Sequence, residues 1–244
     1  MMLQDCPILN LTNDKKITLN KEINLKYKTQ SIVSKAGKPI AEELLLNFEH
    51  AQLNSCIKYY QSVIETGALT NESLEFIIER RLINSLNLQS CNKLFINIER
   101  NNLCDVRTLR LINEAAKTLE NSNVSLVVEI TERKCSNTCN RGIEGLLQLK
   151  NMGITLAIDD YDYISRDFRK PELDIGLYDY IKINNPQIEV QRDNFEKIID
   201  KSFKKGLKVI VEHIESRKDF EKLPHDYIYG YQGYHFCIGK PIFQ

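Results

Sequence analysis

Ser125-Leu126-Val127-Val128-Glu129-Ile130, Thr155-Leu156-Ala157-Ile158-Asp159-Asp160 and Tyr180-Ile181-Lys182-Ile183 fall within one stretch of the chain, residues 125–183. Each is a short apolar, largely β-branched run that carries a polar or charged residue in it or at its end, as expected of a buried parallel strand. Outward from this stretch the same kind of run recurs at Leu94 to Ile98 and Leu207 to Val211. Segments with helical period lie between the runs: Leu74, Ile77, Ile78 and Leu82; Leu109, Ile112, Ala116 and Leu119; Phe195, Ile198, Ile199 and Phe203. Gly153 and Gly206 stand where helices should stop, and Ser216 with Asp219 fits an N-cap opening a last short helix. Strict alternation of strand and helix implies a parallel sheet with right-handed crossovers, and this many units imply closure into a TIM-like (β/α)8 barrel. The first part departs from the pattern. Runs at Ile17 to Val33 and Ile40 to Phe48 flank Ser34-Lys35-Ala36-Gly37-Lys38-Pro39, a turn signal that predicts an N-terminal hairpin and one antiparallel barrel strand.

At 244 residues the chain has room for one such barrel and little else. No Pro/Gly-rich linker or low-complexity tract marks a boundary, so one domain is expected over 1–244, with its core at about 25–241. The 33 basic and 33 acidic side chains balance to a formal charge of +0, which argues against a nucleic-acid polymer as partner. The densest basic cluster, Lys201 to Lys208, reads as the wet face of a helix. Met1 to Lys15 lacks the apolar stretch of an export signal, and no apolar run is long enough to span a bilayer. A cytoplasmic protein with no membrane partner is expected. Its seven cysteines are then reduced thiols, and Cys135 and Cys139 lack a second ligand pair that would suggest zinc.

In a barrel of this type the site forms at the C-terminal ends of the strands. Polar residues mark those ends: Asn97, Glu129, Asp159-Asp160, Lys182, Glu212 and Gln232, spaced by about 20 to 32 residues, roughly one βα unit each. Carboxylates and a carboxamide are hard oxygen ligands suited to Mg²⁺ or Mn²⁺, and no His or Cys in the series points to zinc. Two adjacent aspartates suit a metal pair, which activates water at a phosphodiester, and a lysine at the rim orients that water or balances charge. Taken singly, Glu129 or Asp159 also reads as a helix cap or half of an ion pair. Taken together, several acids at one mouth repel unless cations neutralise them.

Phe95-Ile96-Asn97-Ile98, Glu129-Ile130-Thr131-Glu132, Ile158-Asp159-Asp160-Tyr161, Lys182-Ile183-Asn184, Val211-Glu212-His213-Ile214-Glu215 and Gln232-Gly233-Tyr234 resemble, in order and spacing, the motifs of the EAL domain phosphodiesterases, from about Gln30 to Pro241. The signature stands as Glu43-Leu44-Leu45. The resemblance implies hydrolysis of cyclic di-GMP, a bacterial messenger controlling motility and biofilm, to linear pGpG with two Mg²⁺ or Mn²⁺ ions. It implies Glu43, Asn97, Glu129 and Asp159 as ligands of one metal and Asp160 as a ligand of the second. Lys182 and Glu212 would position or deprotonate the attacking water, and Gln30 and Gln232 would contact the dinucleotide. Glu132 would support the loop after its strand, Glu215 would buttress the site, and a homodimer is implied.

Five positions depart from the family pattern. Asn47 stands in the substrate-binding position where an arginine is usual, Asp162 and Ile164 replace loop glycines, Asn184 replaces an acid, and His213 replaces a glycine. These departures leave two alternatives open: a non-catalytic module that binds the nucleotide or a regulatory protein, and a barrel acting on another phosphate ester.

Overall fold

A computed structural model describes residues 26–47, 67–79, 91–133 and 141–242. Its strands are β1 Lys26–Val33, β2 Pro39–Asn47, β3 Lys93–Ile98, β4 Ser125–Ile130, β5 Thr155–Ile158, β6 Tyr180–Asn184, β7 Lys208–Glu212, β8 Ile228–Tyr231 and β9 Lys240–Ile242. Its helices are α1 Ala68–Ile78, α2 Val106–Glu120, α3 Gly142–Asn151, α4 Lys170–Asp174, α5 Arg192–Lys204 and α6 Arg217–Glu221. The first eight strands close into a barrel, running β1 to β8 in order with β8 returning to β1. Pairings from β2 to β8 are parallel, whereas β1 is antiparallel to both neighbours. The expected hairpin accounts for this, because the five residues between Val33 and Pro39 are too few for a parallel crossover and reverse the chain. Strand β9 extends the sheet at the other end of β1, pairing Tyr27 with Ile242 and Thr29 with Lys240.

The strands expected from apolar runs fall within a residue or two of those observed. Strand β8 carried a weaker signal because it is four residues long with Gly230 inside it. The helices form where apolar residues recur on one face. In α2, Asp105 accepts from the Arg107 backbone N–H at 2.9 Å, and Leu109, Ile112 and Leu119 are buried. Ser216 and Asp219 make a reciprocal capping box at α6. Gly153 and Gly206 end α3 and α5 at φ of 80° and 75°, conformations that cost glycine little. Leu82, Cys135, Cys139, residues 17–25 and Phe48 lie outside the described residues.

Two apolar layers result, and their separation places the site. Outward-facing residues such as Leu94, Ile96, Val128, Leu156, Ile181 and Val209 pack beneath the helices. Inside the barrel a smaller cluster of Ile32, Ala41, Phe95, Val127, Ala157, Tyr180 and Ile210 fills the lower half. Because strand side chains alternate, the next inward residue on each of these strands lies two positions away. That step leads from Ala41 to Glu43, Phe95 to Asn97, Val127 to Glu129, Ala157 to Asp159, Tyr180 to Lys182 and Ile210 to Glu212. On antiparallel β1 it leads backwards from Ile32 to Gln30, which pairs with Glu43. An apolar plug therefore carries a polar layer above it.

Phe95 is 0% exposed and meets the Tyr180 ring edge-on at 5.3 Å. Phe95→Ala should cost about 3–5 kcal/mol in urea unfolding, whereas Phe203→Ala, at a side chain 51% exposed, should cost well under that. Equal costs would contradict a packed barrel interior.

Candidate active site

Lys182 sits at the centre of the polar layer. Its Nζ lies 3.1 Å from Glu43 Oε2, 2.9 Å from Glu129 Oε1, 3.4 Å from Asp159 Oδ1 and 2.8 Å from Glu212 Oε1. Four strands thus deliver a carboxylate to one ammonium that is 1% exposed. Amides frame the group: Asn97 Nδ2 donates to Glu43 Oε1 at 2.7 Å, and Gln232 Nε2 donates to Glu43 Oε2 at 2.6 Å. Gln232 also donates to Gln30 Oε1 at 3.2 Å, and Gln30 Nε2 donates to the Cys237 carbonyl at 2.9 Å. Gly233 allows this approach, since a Cβ there would stand 2.2 Å from the Ile214 carbonyl oxygen.

A cavity of about 350 Å³ opens above this layer, walled in part by Lys28, Asn97, Glu99, Glu132, Arg133, Asp159 and Asp160. Carboxylate oxygens of Glu132, Asp159 and Asp160 lie within 4.8 Å of one another, a spacing that one cation can span. Both oxygens of Glu129 are buried without a hydrogen bond, the Lys182 contact being ionic and off hydrogen-bond geometry. A buried, unbonded carboxylate among hard oxygen donors fits a divalent cation. The residues expected at the site are therefore gathered, with two exceptions. Asn47 ends β2 opposite Lys26, half-buried and outside the cavity wall. Glu215 is exposed and makes no hydrogen bond or ion pair among the described residues.

Sequence reasoning passed over Arg169. Its side chain is 0% exposed, and its Nη1 donates to the carbonyls of Ile130 at 3.1 Å and Asp159 at 2.7 Å. Its Nη2 donates to the Asp160 carbonyl at 3.2 Å and to Asp167 Oδ2 at 2.8 Å. The guanidinium fork thereby fixes the backbone of both candidate metal ligands. Asp162 Oδ1 accepts from the Ile164 and Ser165 N–H groups at 2.9 Å, so this loop is built on side-chain acceptors. Neither Asp162 nor Ile164 takes a positive φ, which explains why the loop does without the two glycines. The other two departures are partners: Asn184 Nδ2 donates to Asp160 Oδ1 at 2.9 Å, and Asn184 Oδ1 meets His213 Nδ1. Asp160 and His213 both hold left-handed backbone, at φ of 43° and 56°. Arg169→Met should strand Asp167 and cost about 3–5 kcal/mol in urea unfolding. A cost under about 1 kcal/mol would remove the clamp from this account.

Charge is unbalanced at the centre. Burial alone would lower the Lys182 pKa, but Glu129, Glu212, Glu43 and Asp159 outweigh it and hold the ammonium well above the ordinary lysine range. Burial, then the neighbouring Glu43 charge, pushes Glu129 well above the usual carboxylate range. Burial raises Asp159 to about 6 and Glu212 to about 8, against the pull of Lys182. Burial also works on Glu43, yet the Lys182 charge and the Gln232 bond bring it below its ordinary value.

Both Asp159 and Glu212 sit above their ordinary values of 3.8 and 4.5, so the fold favours their protonated forms. Their stabilising contribution is complete below about pH 4 and is lost as pH rises through about 6 and about 8. Asp162 and Asp167 are lowered and slope the other way only in acid, while His225, lowered by burial from its ordinary 6.5, partly opposes the fall below that pH. With a chelator present, Tm should fall between about pH 5 and pH 8.5. Glu212→Gln should flatten the upper half of that fall, and Mn²⁺ should oppose all of it by favouring the ionised acids. A chelated Tm that is flat or rising across this window would contradict the charge balance described.

Comparison with known proteins agrees with this geometry. The EAL domain family model matches residues 14–239. A c-di-GMP complex of the PaMucR phosphodiesterase superposes with a TM-score of 0.68 at 19% identity, over 90% of this chain and 98% of that one. Klebsiella pneumoniae BlrP1, in a calcium and cyclic-di-GMP complex, gives 0.72 at 18% identity over 90% of this chain and 57% of that one. An EAL domain protein from Listeria monocytogenes EGD-e gives 0.67 at 20% identity, covering 89% of each chain. No curated protein matches by sequence. With the family model spanning most of its length and the barrel carrying the acids at one mouth, the chain belongs to the EAL domain family.

Proposed function

We propose that this chain hydrolyses cyclic di-GMP to linear pGpG with the help of two divalent cations. The observation that carries the reading is the buried set of hard oxygen donors around Lys182, with Glu129 unbonded on both oxygens, together with the carboxylates of Glu132, Asp159 and Asp160 that converge on one another at the cavity wall. Relatives at 18–20% identity support the fold, and two of them are complexes with this nucleotide.

Glu43, Asn97, Glu129 and Asp159 would hold one Mg²⁺ or Mn²⁺, and Asp160 with Asp159 the other; Glu132 is close enough to assist. Such ions supply Lewis-acid activation of a water and neutralise charge at phosphorus. The protein's own residues do the rest. Lys182 Nζ holds the acids at fixed separations and donates toward Glu212 Oε1 at 2.8 Å. Glu212, at the end of β7 and with its carboxylate 12% exposed, accepts the proton of the attacking water at that oxygen. Gln232 and Gln30, bonded to each other, present amides to the nucleotide. The Asn184–His213 pair and Arg169 keep Asp160 and Asp159 in their aims. Such an enzyme acts in the cytoplasm, where its messenger is made.

Purified protein incubated with cyclic di-GMP and Mg²⁺ or Mn²⁺ should release pGpG on chromatography. Glu43→Ala should reduce the rate by at least about 10²-fold, and a chelator should abolish it. No product from folded protein overturns the catalytic reading. Calorimetry then separates a nucleotide receptor, which binds without turnover, from a protein adaptor, which does neither.

A further inference from the structure

The cavity is strongly acidic for a site proposed to take a dinucleotide with two phosphates. Glu99, Glu132, Asp159 and Asp160 stand in its wall, and two basic residues join them, Lys28 and Arg133. Arg133 is already engaged: it donates to Glu99 and lies 3.9 Å from Glu132 Oε1. The Lys28 ammonium makes no ion pair or hydrogen bond among the described residues. A half-buried lysine beside a run of acids would ordinarily pair with one of them.

Position explains why it does not. Lys28 pairs with Leu45 across the β1–β2 hairpin, two residues nearer the mouth than the Gln30–Glu43 pair. Alternation puts it on the same inner face as Gln30. In the closed order β1-β2-β3-β4-β5, four steps separate β1 from β5 in a ring of eight, so Lys28 faces Asp159 and Asp160 from across the barrel. Its stem passes close over Gly239, where a Cβ would come within 3.2 Å of Lys28 Cδ. Asn47, at the end of β2 two residues beyond Leu45, supplies no charge.

The geometry points to Lys28 as a second phosphate-binding group of the site, gripping one phosphodiester of the cyclic dinucleotide while the other is held at the acidic wall. This assignment rests on the phosphodiesterase reading and extends it. It makes the site bipolar, with cations to be recruited on the β4–β5 side and a built-in ammonium on the β1 side, so that a ligand with two separated phosphates spans the mouth. A point charge suits a phosphate approached from one direction.

The test measures cyclic di-GMP affinity by calorimetry in a Glu212→Gln background, where turnover does not consume the ligand, and KM and kcat in the otherwise native chain. Lys28→Ala should weaken binding and raise KM by about 10- to 100-fold, with a much smaller change in kcat. Lys28→Arg should retain most of the affinity, and Asn47→Arg should restore part of it to Lys28→Ala. Stabilisation of Lys28→Ala by Mn²⁺ alone should match the parent, which separates loss of a phosphate contact from damage to the metal side or the fold. If the parent binds the nucleotide and Lys28→Ala binds it within twofold, the lysine has no such role, and the phosphodiesterase reading stands without it. If the folded parent neither binds nor hydrolyses the nucleotide, both proposals fall together.

Discussion

The structure depends on one buried ammonium. Lys182 Nζ is enclosed by Glu43, Glu129, Asp159 and Glu212, each delivered by a different strand. Removing so many charges from water is costly, and a single cation cannot neutralise four acids. The arrangement therefore holds residual negative charge, and burial, with the neighbouring acids adding to it, pushes the carboxyl groups of Glu129, Asp159 and Glu212 upward. A core selected for stability alone would place apolar residues here. Retaining the acids makes sense in a site that recruits cations, because a bound divalent ion converts the mutual repulsion into attraction.

The rest of the barrel serves that centre. The apolar plug of Phe95, Tyr180, Ile210 and their neighbours closes the lower half and supports the polar layer from below. Reversal of β1 brings Gln30 beside Glu43 from the opposite chain direction, so this strand presents to the mouth a residue that precedes its apolar plug residue Ile32. The return of the chain through Gln232 and Gly233 then closes an amide chain from Cys237 to Glu43. Rigidity at this level matters for chemistry, since acids that must share cations need fixed separations.

The departures from the family pattern resolve into local substitutes. A loop lacking glycines is shaped by Asp162, Asp167 and the buried Arg169, which together occupy the hydrogen-bonding groups that a freer backbone would otherwise need to satisfy. Asn184 and His213 replaced two different residue types but meet each other, and Asn184 reaches Asp160. An amide offers a donor and an acceptor at once, which lets it link a carboxylate to an imidazole where a second acid would accept from both.

Much of this was legible in the chain. Apolar runs ending in Asn97, Glu129, Asp159 and Glu212 give strand, direction and inward face together, because parallel strands buried on both sides read as continuous apolar segments and because side chains alternate with a period of two. The turn from Ser34 to Pro39 gave the antiparallel strand. Sequence order could not give lateral distance. That Lys182 touches four acids, that Asn184 finds His213, that Arg169 reaches back to Ile130 and that Lys28 looks across at Asp159 all depend on barrel closure, which joins residues far apart in the chain. Arg169 left no signal for the same reason: a buried guanidinium bonding to backbone carbonyls needs acceptors that any sequence supplies, so only the folded chain decides which carbonyls are within its reach.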